Sequence, residues 1–191
     1  MTGKTHKAIG ITIGMGSFIA MQDASYMPAT FAAVLLFSYF GALLPDIDQP
    51  ASEIWDKLPF GSGHAVGHLV DPFIKHRNIT HSILGYAIFN ILIILLLNSL
   101  PLYWGVLPAP VIIAFGLAYL AHLLADMFTV EGIPLFYPWK RFFGIPPKPF
   151  DGIRIETGHW FENLIIFPVA NIILISLIVS NWSNLHMILF K

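Results

Sequence analysis

Residues 81–98 of the chain read HSILGYAIFNILIILLLN, and this stretch decides the fold class. It contains no Asp, Glu, Lys or Arg, and its ILIILLL segment is continuously apolar. A helix needs about 20 mostly apolar residues to cross a bilayer, so the stretch predicts a transmembrane helix. The sequence has five such apolar stretches in all, at residues 8–22, 28–44, 79–98, 107–128 and 163–188.

The first stretch is short for a full span, and the last is expected to end before Asn181. The first follows a basic N-terminal segment, as in a signal peptide, but no clear cleavage site follows it, so a retained helix is expected. The sequence therefore predicts an all-α, polytopic membrane protein of about five transmembrane helices, folded as a single domain over residues 1–191.

The composition agrees with a membrane protein. Hydrophobic residues make up 56% of the 191 residues and charged residues only 11%, whereas a soluble domain carries about 25% charged residues. The net charge of -1 and the lack of a basic run give no reason to expect a nucleic-acid partner. Cys is absent, so any metal must be held by His, Asp, Glu or water. Such donors favour Zn, Mn, Mg or Fe.

The cations predict the orientation in the membrane. Nine of the ten Lys and Arg residues lie before the first stretch or in the two long polar loops, at residues 45–78 and 129–162, and only Lys191 lies on the opposite side. Cytoplasmic segments of membrane proteins are enriched in Lys and Arg. The N-terminus and both long loops are therefore predicted in the cytoplasm, and the C-terminus outside.

Five polar clusters gather at the predicted cytoplasmic helix ends. They are Thr5-His6, Asp46-Ile47-Asp48 after Pro45, His76 to Ser82, His122 to Asp126, and Glu156 to Glu162. Ionisable residues at membrane helices usually face a cavity or a partner. Because all five clusters lie on the cytoplasmic face of the membrane, they predict a metal site at that face.

The spacing within two clusters fits coordination. His122 and Asp126 are four residues apart and share one helix face, although an interhelical hydrogen-bonded pair explains them equally well. Asp46 and Asp48 follow a helix-ending Pro, where a short irregular segment can turn both carboxylates inward; a solvated helix terminus is the alternative.

The remaining polar residues near these clusters are read as structural or incidental. Asn78 and Thr80 are expected to cap the third helix. His64 and His68 lie among glycines and are expected to be a loop pair, while His159 and His186 are expected to be incidental.

Taken in order, TH at residue 5, LLPDIDQP, HRNITHS, HLLADMFTVEGIPLFYPW and TG-x3-E resemble the YdjM family. These bacterial and archaeal inner-membrane proteins, some regulated by LexA, are described as metal-dependent hydrolases. The resemblance implies metal ligands at His6, Asp46, Asp48, His76, His81, His122 and Asp126, with Glu162 as a further acid. At position 49, after the second Asp, the family frequently has His, but this chain has Gln49. If that His binds metal in other members, the site here has one ligand fewer.

The family is also distantly similar to the zinc-dependent phospholipase C and P1 nuclease group. That likeness implies phosphoester chemistry and a two- or three-metal site. In all, one to three divalent ions are expected, most simply Zn. The expected function is therefore a metal-dependent hydrolase of the plasma (inner) membrane, acting from its cytoplasmic side on a phospholipid headgroup or a small phosphoester.

In that mechanism Asp48 is a ligand, a bridging carboxylate or the general base, and Glu162 is the alternative base. Arg77 is expected to bind a phosphate oxygen. Lys140 and Arg141 either hold anionic headgroups or only set the topology. The alternatives to hydrolysis are a non-catalytic membrane scaffold with a structural metal and a divalent-metal transporter.

Overall fold

The computed structural model describes residues 1–21, 23, 26–48, 79–99, 105–139 and 141–190. Within these residues the chain is helical, and two isolated β-bridges, Thr129 to Ile155 and Ile133 to Phe143, are its extended pairings. The helices are α1 (Gly3–Met21), α2 (Pro28–Leu43), α3 (Ile83–Ser99), α4 (Pro108–Met127), α5 (Phe167–Ser180) and α6 (Trp182–Leu189). The all-α prediction is confirmed, since each predicted apolar stretch contains a helix.

Three helical segments are long and apolar enough to cross a membrane. They are Pro28–Asp48, Pro108–Met127 and Glu162–Ser180. α3 is apolar but only 17 residues long, and α1 has 19 residues but is less apolar than the three candidate spans. Five complete spans therefore stay a prediction. The expected end of the last span before Asn181 agrees with the end of α5 at Ser180.

Local sequence explains where the helices begin and end. α2 and α4 both have Pro in their first turn, where the missing N–H costs nothing. α2 ends at Leu43 and is followed by a 3₁₀ turn, Leu44–Asp48. A π-helix, Glu162–Ile166, leads into α5.

The prediction that Thr80 caps the start of α3 is wrong. The Ser82 side chain accepts a hydrogen bond from the Gly85 N–H at 3.2 Å, as an N-cap does. The Thr80 hydroxyl instead donates a hydrogen bond to Asp48 Oδ2 and lies 3.3 Å from His81 Nδ1. Asn78, the other predicted cap, lies outside the described residues.

α1, α2 and α4 form the centre of the bundle and approach one another closely. A Cβ built on Gly10 of α1 would lie 2.5 Å from the Ala42 Cβ of α2, and one built on Gly41 of α2 would lie 2.6 Å from the Phe115 carbonyl of α4. Small residues permit such backbone approach in membrane bundles, where packing and hydrogen bonds drive association. This contact fixes the ends of the three helices relative to one another.

α3 and α5 lie on the outside of this group. α3 packs on α4, and α5 packs mainly on α1. α5 leaves large apolar side chains exposed, with Ile172 63% and Val179 68% exposed. An apolar surface of this extent suits contact with lipid rather than water.

Candidate metal centre

Three helix ends meet at one end of the bundle and bring a His and Asp cluster together. The cluster consists of Asp46, from the 3₁₀ turn after α2, His81, just before α3, and His122 and Asp126, from the end of α4. Each residue offers one ligand atom, and the four atoms all lie within 4.8 Å of one another. The four residues are called the His/Asp centre below.

The spacing in the His/Asp centre fits a four-coordinate ion. Asp46 Oδ1 lies 3.4 Å from His81 Nε2 and 3.7 Å from His122 Nε2. Asp126 Oδ2 lies 3.6 and 3.8 Å from the same two nitrogens. A tetrahedral ion with bonds of about 2.1 Å separates its ligands by about 3.4 Å. Only a small contraction is therefore needed for these residues to share one ion.

Both imidazoles of the His/Asp centre are oriented by a partner on Nδ1, the ring nitrogen away from the centre. His122 Nδ1 lies 2.7 Å from the Ala42 carbonyl, which can only accept, so Nδ1 carries the proton and the Nε2 lone pair faces the centre. His81 Nδ1 lies 3.3 Å from the Thr80 hydroxyl and 3.8 Å from Asp48 Oδ2. Metal-binding histidines are usually held in this way by a partner on the second nitrogen.

His6 lies beside the His/Asp centre rather than within the group of four. Its ring stacks on that of His122, with 3.6 Å between ring centroids, and its Nε2 lies 3.1 Å from Asp126 Oδ1. The residue is only 1% exposed, and its Nδ1 has no hydrogen-bond partner in the described part of the chain. Buried polar atoms are normally satisfied, so this nitrogen is available to a bound ion or water.

The electrostatics of the centre favour a cation. Asp46, Asp48 and Asp126 each place a carboxylate oxygen within 3.8 Å of a ring nitrogen of His81, so negative charge is concentrated here. The terminal amine of Met1 also forms an ion pair with Asp126. Buried carboxylates need positive charge nearby. Two imidazoles and two carboxylates suit a borderline or hard divalent ion.

Asp48 is buried behind His81. Its Oδ2 accepts a hydrogen bond of 2.8 Å from the Thr80 hydroxyl, and the residue is 2% exposed. Tyr119 donates to the Thr80 carbonyl at 2.6 Å. Thr80 and Tyr119 were missed as site residues from the sequence. The sequence offered one sign for Thr80, its position directly before His81. It offered none for Tyr119.

Glu162 lies apart from the four ligand atoms and ties two chain segments together. The Thr2 N–H donates to Glu162 Oε1 at 2.7 Å and the Gly158 N–H donates to Oε2 at 2.8 Å. The Thr2 hydroxyl also donates to Oε1. Because Thr2 precedes α1, Glu162 fixes the start of the helix that carries His6.

Several predicted site residues lie outside the described residues. These are the ligand His76, the phosphate-binding candidate Arg77, and also Gln49, His64, His68 and Lys140. Arg141 is described, and its guanidinium carbon lies 4.9 Å from the centroid of the Trp139 ring. His159, expected to be incidental, is exposed and pairs with Glu156 at 2.8 Å.

Comparison with known proteins places the chain among membrane proteins. Residues 1–187 match the family described as YdjM inner membrane protein. The inner membrane proteins YdjM of Escherichia coli (strain K12) and Shigella flexneri are each 36% identical over 104 residues, covering 54% of this chain and 48% of the relative. The chain thus spans about half the length of these two relatives.

A third relative aligns over a longer range. The uncharacterized protein YvsG of Bacillus subtilis (strain 168) is 30% identical over 168 residues, covering 87% of this chain and 88% of that protein. No solved structure matches the chain. The family match and the apolar helices both point to the inner membrane, and the chain belongs to the YdjM family.

Proposed function

We propose that this protein is a membrane-embedded, metal-dependent hydrolase that acts on a phosphoester, with a phospholipid headgroup as the preferred substrate. The observation that carries the proposal is the convergence of Asp46, His81, His122 and Asp126, whose ligand atoms lie within 4.8 Å of one another at the ends of apolar helices. Zn is the simplest occupant, with Mn, Mg and Fe as alternatives.

When bound, a divalent ion supplies Lewis-acid activation of the phosphoester and of a water nucleophile. The chain holds the site rigid: the Ala42 carbonyl orients His122, and Thr80 lies against both Asp48 and His81. Asp46 is 15% exposed, whereas His81, His122 and Asp126 are at most 1% exposed. Substrate would therefore approach from the side of Asp46, and a catalytic site needs such an open side.

Asp48 has a more specific role in the proposal. Its carboxylate lies behind His81 and would orient that ring, as carboxylates commonly do for metal-binding histidines. The bridging, ligand and general-base roles stay alternatives for the same residue. Glu162, whose two oxygens hold Thr2 and Gly158, would act by positioning α1 and His6.

The position of the His/Asp centre supports a lipid substrate. The centre lies at the ends of α2 and α4, both of which belong to candidate spans. The end of a membrane helix lies at the level of lipid headgroups, where the phosphate of a phospholipid is also found. A small soluble phosphoester could reach the same level from the cytoplasm.

The test combines metal analysis with a substrate screen. Elemental mass spectrometry should detect a divalent metal in the purified protein. The protein should also hydrolyse a phospholipid or a small phosphoester. His122→Ala should lose metal and hydrolysis together. Metal retained without any hydrolysis would favour a structural metal in a scaffold, and metal-free protein would overturn the proposal.

A further inference from the structure

His81 is held in a turn rather than in a helix. The turn covers residues 79–82 and precedes α3, and Thr80, His81 and Ser82 are all buried. The Ser82 N–H closes the turn on the Ile79 carbonyl at 3.2 Å. Because helical hydrogen bonds do not fix a residue in such a turn, the position of His81 depends on contacts from other parts of the chain.

The turn is held on both sides of His81 by α4 and the segment that follows α4. Before His81, the Tyr119 hydroxyl of α4 donates a hydrogen bond to the Thr80 carbonyl at 2.6 Å. After it, the Ile83 N–H donates to the Leu135 carbonyl at 2.9 Å. The second bond joins two backbone groups, so Tyr119 is the only side chain in this pair of contacts and the one that a substitution can remove.

The Thr80 carbonyl belongs to the peptide group that joins Thr80 to His81. A peptide group is planar and rigid, so a hydrogen bond to its oxygen also fixes the direction of the His81 N–H and the place of its Cα. The Thr80 hydroxyl adds a second constraint, because it donates to Asp48 Oδ2 at 2.8 Å and lies 3.3 Å from His81 Nδ1. Loss of the Tyr119 bond would let this peptide group rotate and would shift the His81 ring within the His/Asp centre.

The Tyr119 ring is itself fixed by packing. Tyr119 is fully buried, and its ring centroid lies 5.9 Å from those of Tyr86 and Phe89 and 6.1 Å from that of Phe115. Tyr119→Phe therefore removes the hydroxyl and keeps the packed ring. Tyr119 also lies three residues before His122, on the same face of α4, so one helix supplies one ligand and orients another.

We propose that Tyr119 is a positioning residue of the metal centre, which sets the orientation of His81 through the Thr80 peptide group. The proposal rests on the proposed function for the bound metal, but it does not depend on hydrolysis. A buried carbonyl that loses its donor is unfavourable, so without the hydroxyl the turn should move until the Thr80 carbonyl finds another partner.

Two control variants separate positioning from a general loss of stability. Tyr86→Phe removes a hydroxyl from the same aromatic group, but this hydroxyl lies near Gly116, where a Cβ would be 3.4 Å from it. Thr12→Val removes a buried hydroxyl that ties α1 to the Ala170 carbonyl of α5 at 3.1 Å. Each protein is purified in detergent. Thermal midpoint, Zn²⁺ affinity by competition titration and the absorption spectrum with Co²⁺ are measured.

Tyr119→Phe should bind Zn²⁺ about tenfold more weakly than the wild type, and its Co²⁺ absorption bands should change because one ligand is misplaced. Thr12→Val should lower the thermal midpoint and keep the Zn²⁺ affinity and the Co²⁺ spectrum of the wild type, and Tyr86→Phe should keep both as well. The proposal would be overturned by wild-type affinity in Tyr119→Phe, or by an equal loss of affinity in Thr12→Val.

A further readout needs no metal. In metal-free protein labelled with ¹⁵N-histidine, His81→Ala identifies the ring signals of His81. Tyr119→Phe should shift these signals and leave those of His159, which is exposed, in place. Unchanged His81 signals would contradict the proposal. If the wild type takes up no added Zn²⁺, the proposed function fails, and the His81 signals alone decide the role of Tyr119.

Discussion

The Nε2 atoms of His81 and His122 face each other across 3.4 Å, although the two residues are 41 positions apart. The far nitrogen of His122 lies against the Ala42 carbonyl, and that of His81 lies against Thr80. Two imidazoles oriented in this way, with Asp46 and Asp126 on either side, form a preorganised set of ligands. The following predictions depend on that arrangement.

Replacing His122 or Asp126 with Ala should remove most of the bound metal. Each residue supplies one of four ligand atoms, and its loss leaves buried partners without compensation. Metal per chain is measured on purified protein. His159→Ala is the control because that residue is exposed and pairs with Glu156, and the double variant His64→Ala with His68→Ala should also keep its metal. Full occupancy in both centre variants would remove this pair from the ligand set.

Asp48→Asn separates positioning from base catalysis. If Asp48 orients His81, the substitution should weaken metal affinity by about 10–100-fold. If it is the general base, metal should stay and turnover should fall by roughly 10²–10⁴-fold. The measurements are a metal competition titration and the hydrolysis rate. A variant with unchanged affinity and unchanged rate would assign Asp48 neither role.

Glu162→Gln should loosen the start of α1. The carboxylate accepts hydrogen bonds from Thr2 and Gly158, and an amide cannot accept at both positions. A buried donor left without its partner costs about 1–3 kcal/mol, so the thermal midpoint should fall, with partial metal loss through His6. Glu156→Gln is the control, since Glu156 is 63% exposed. If turnover falls while stability and metal content are unchanged, Glu162 acts in the chemistry instead.

Gly10→Ala should destabilise the bundle, whereas Gly16→Ala should not. The new Cβ at position 10 would lie 2.5 Å from the Ala42 Cβ, but at position 16 its nearest neighbour is 3.7 Å away, at Leu177. Overpacking of this kind typically costs about 1–3 kcal/mol. Thermal unfolding in detergent gives the comparison, and equal midpoints would show that α1 and α2 are not tightly coupled.

The N-terminus is predicted in the cytoplasm and the C-terminus outside. The described cations lie in the first two turns of α1 or between α4 and α5, as the cation pattern of the sequence has it: Lys4, Lys7, Arg141, Lys148 and Arg154. Fusions of a reporter to each terminus measure the orientation. Both termini on one side would mean that one apolar helix does not span, and α1 and α3 are the first candidates.

The sequence by itself determined the helices and the residue types of the site. Apolar stretches of near-span length allow only helices in lipid, because every backbone polar group must be paired within its own segment. The absence of Cys restricted metal ligands to His and carboxylates. The His122 and Asp126 pair could be placed on one helix face because that spacing is local.

Only the tertiary structure decided which residues meet. Asp46 joins His122 and Asp126 because Gly41 lets α2 approach α4 closely, and His81 joins them because α3 packs on α4. The same packing put Asp48 behind His81 and tied Glu162 to Thr2. Periodicity reports the face of one helix, whereas a site depends on the distance and rotation between helices.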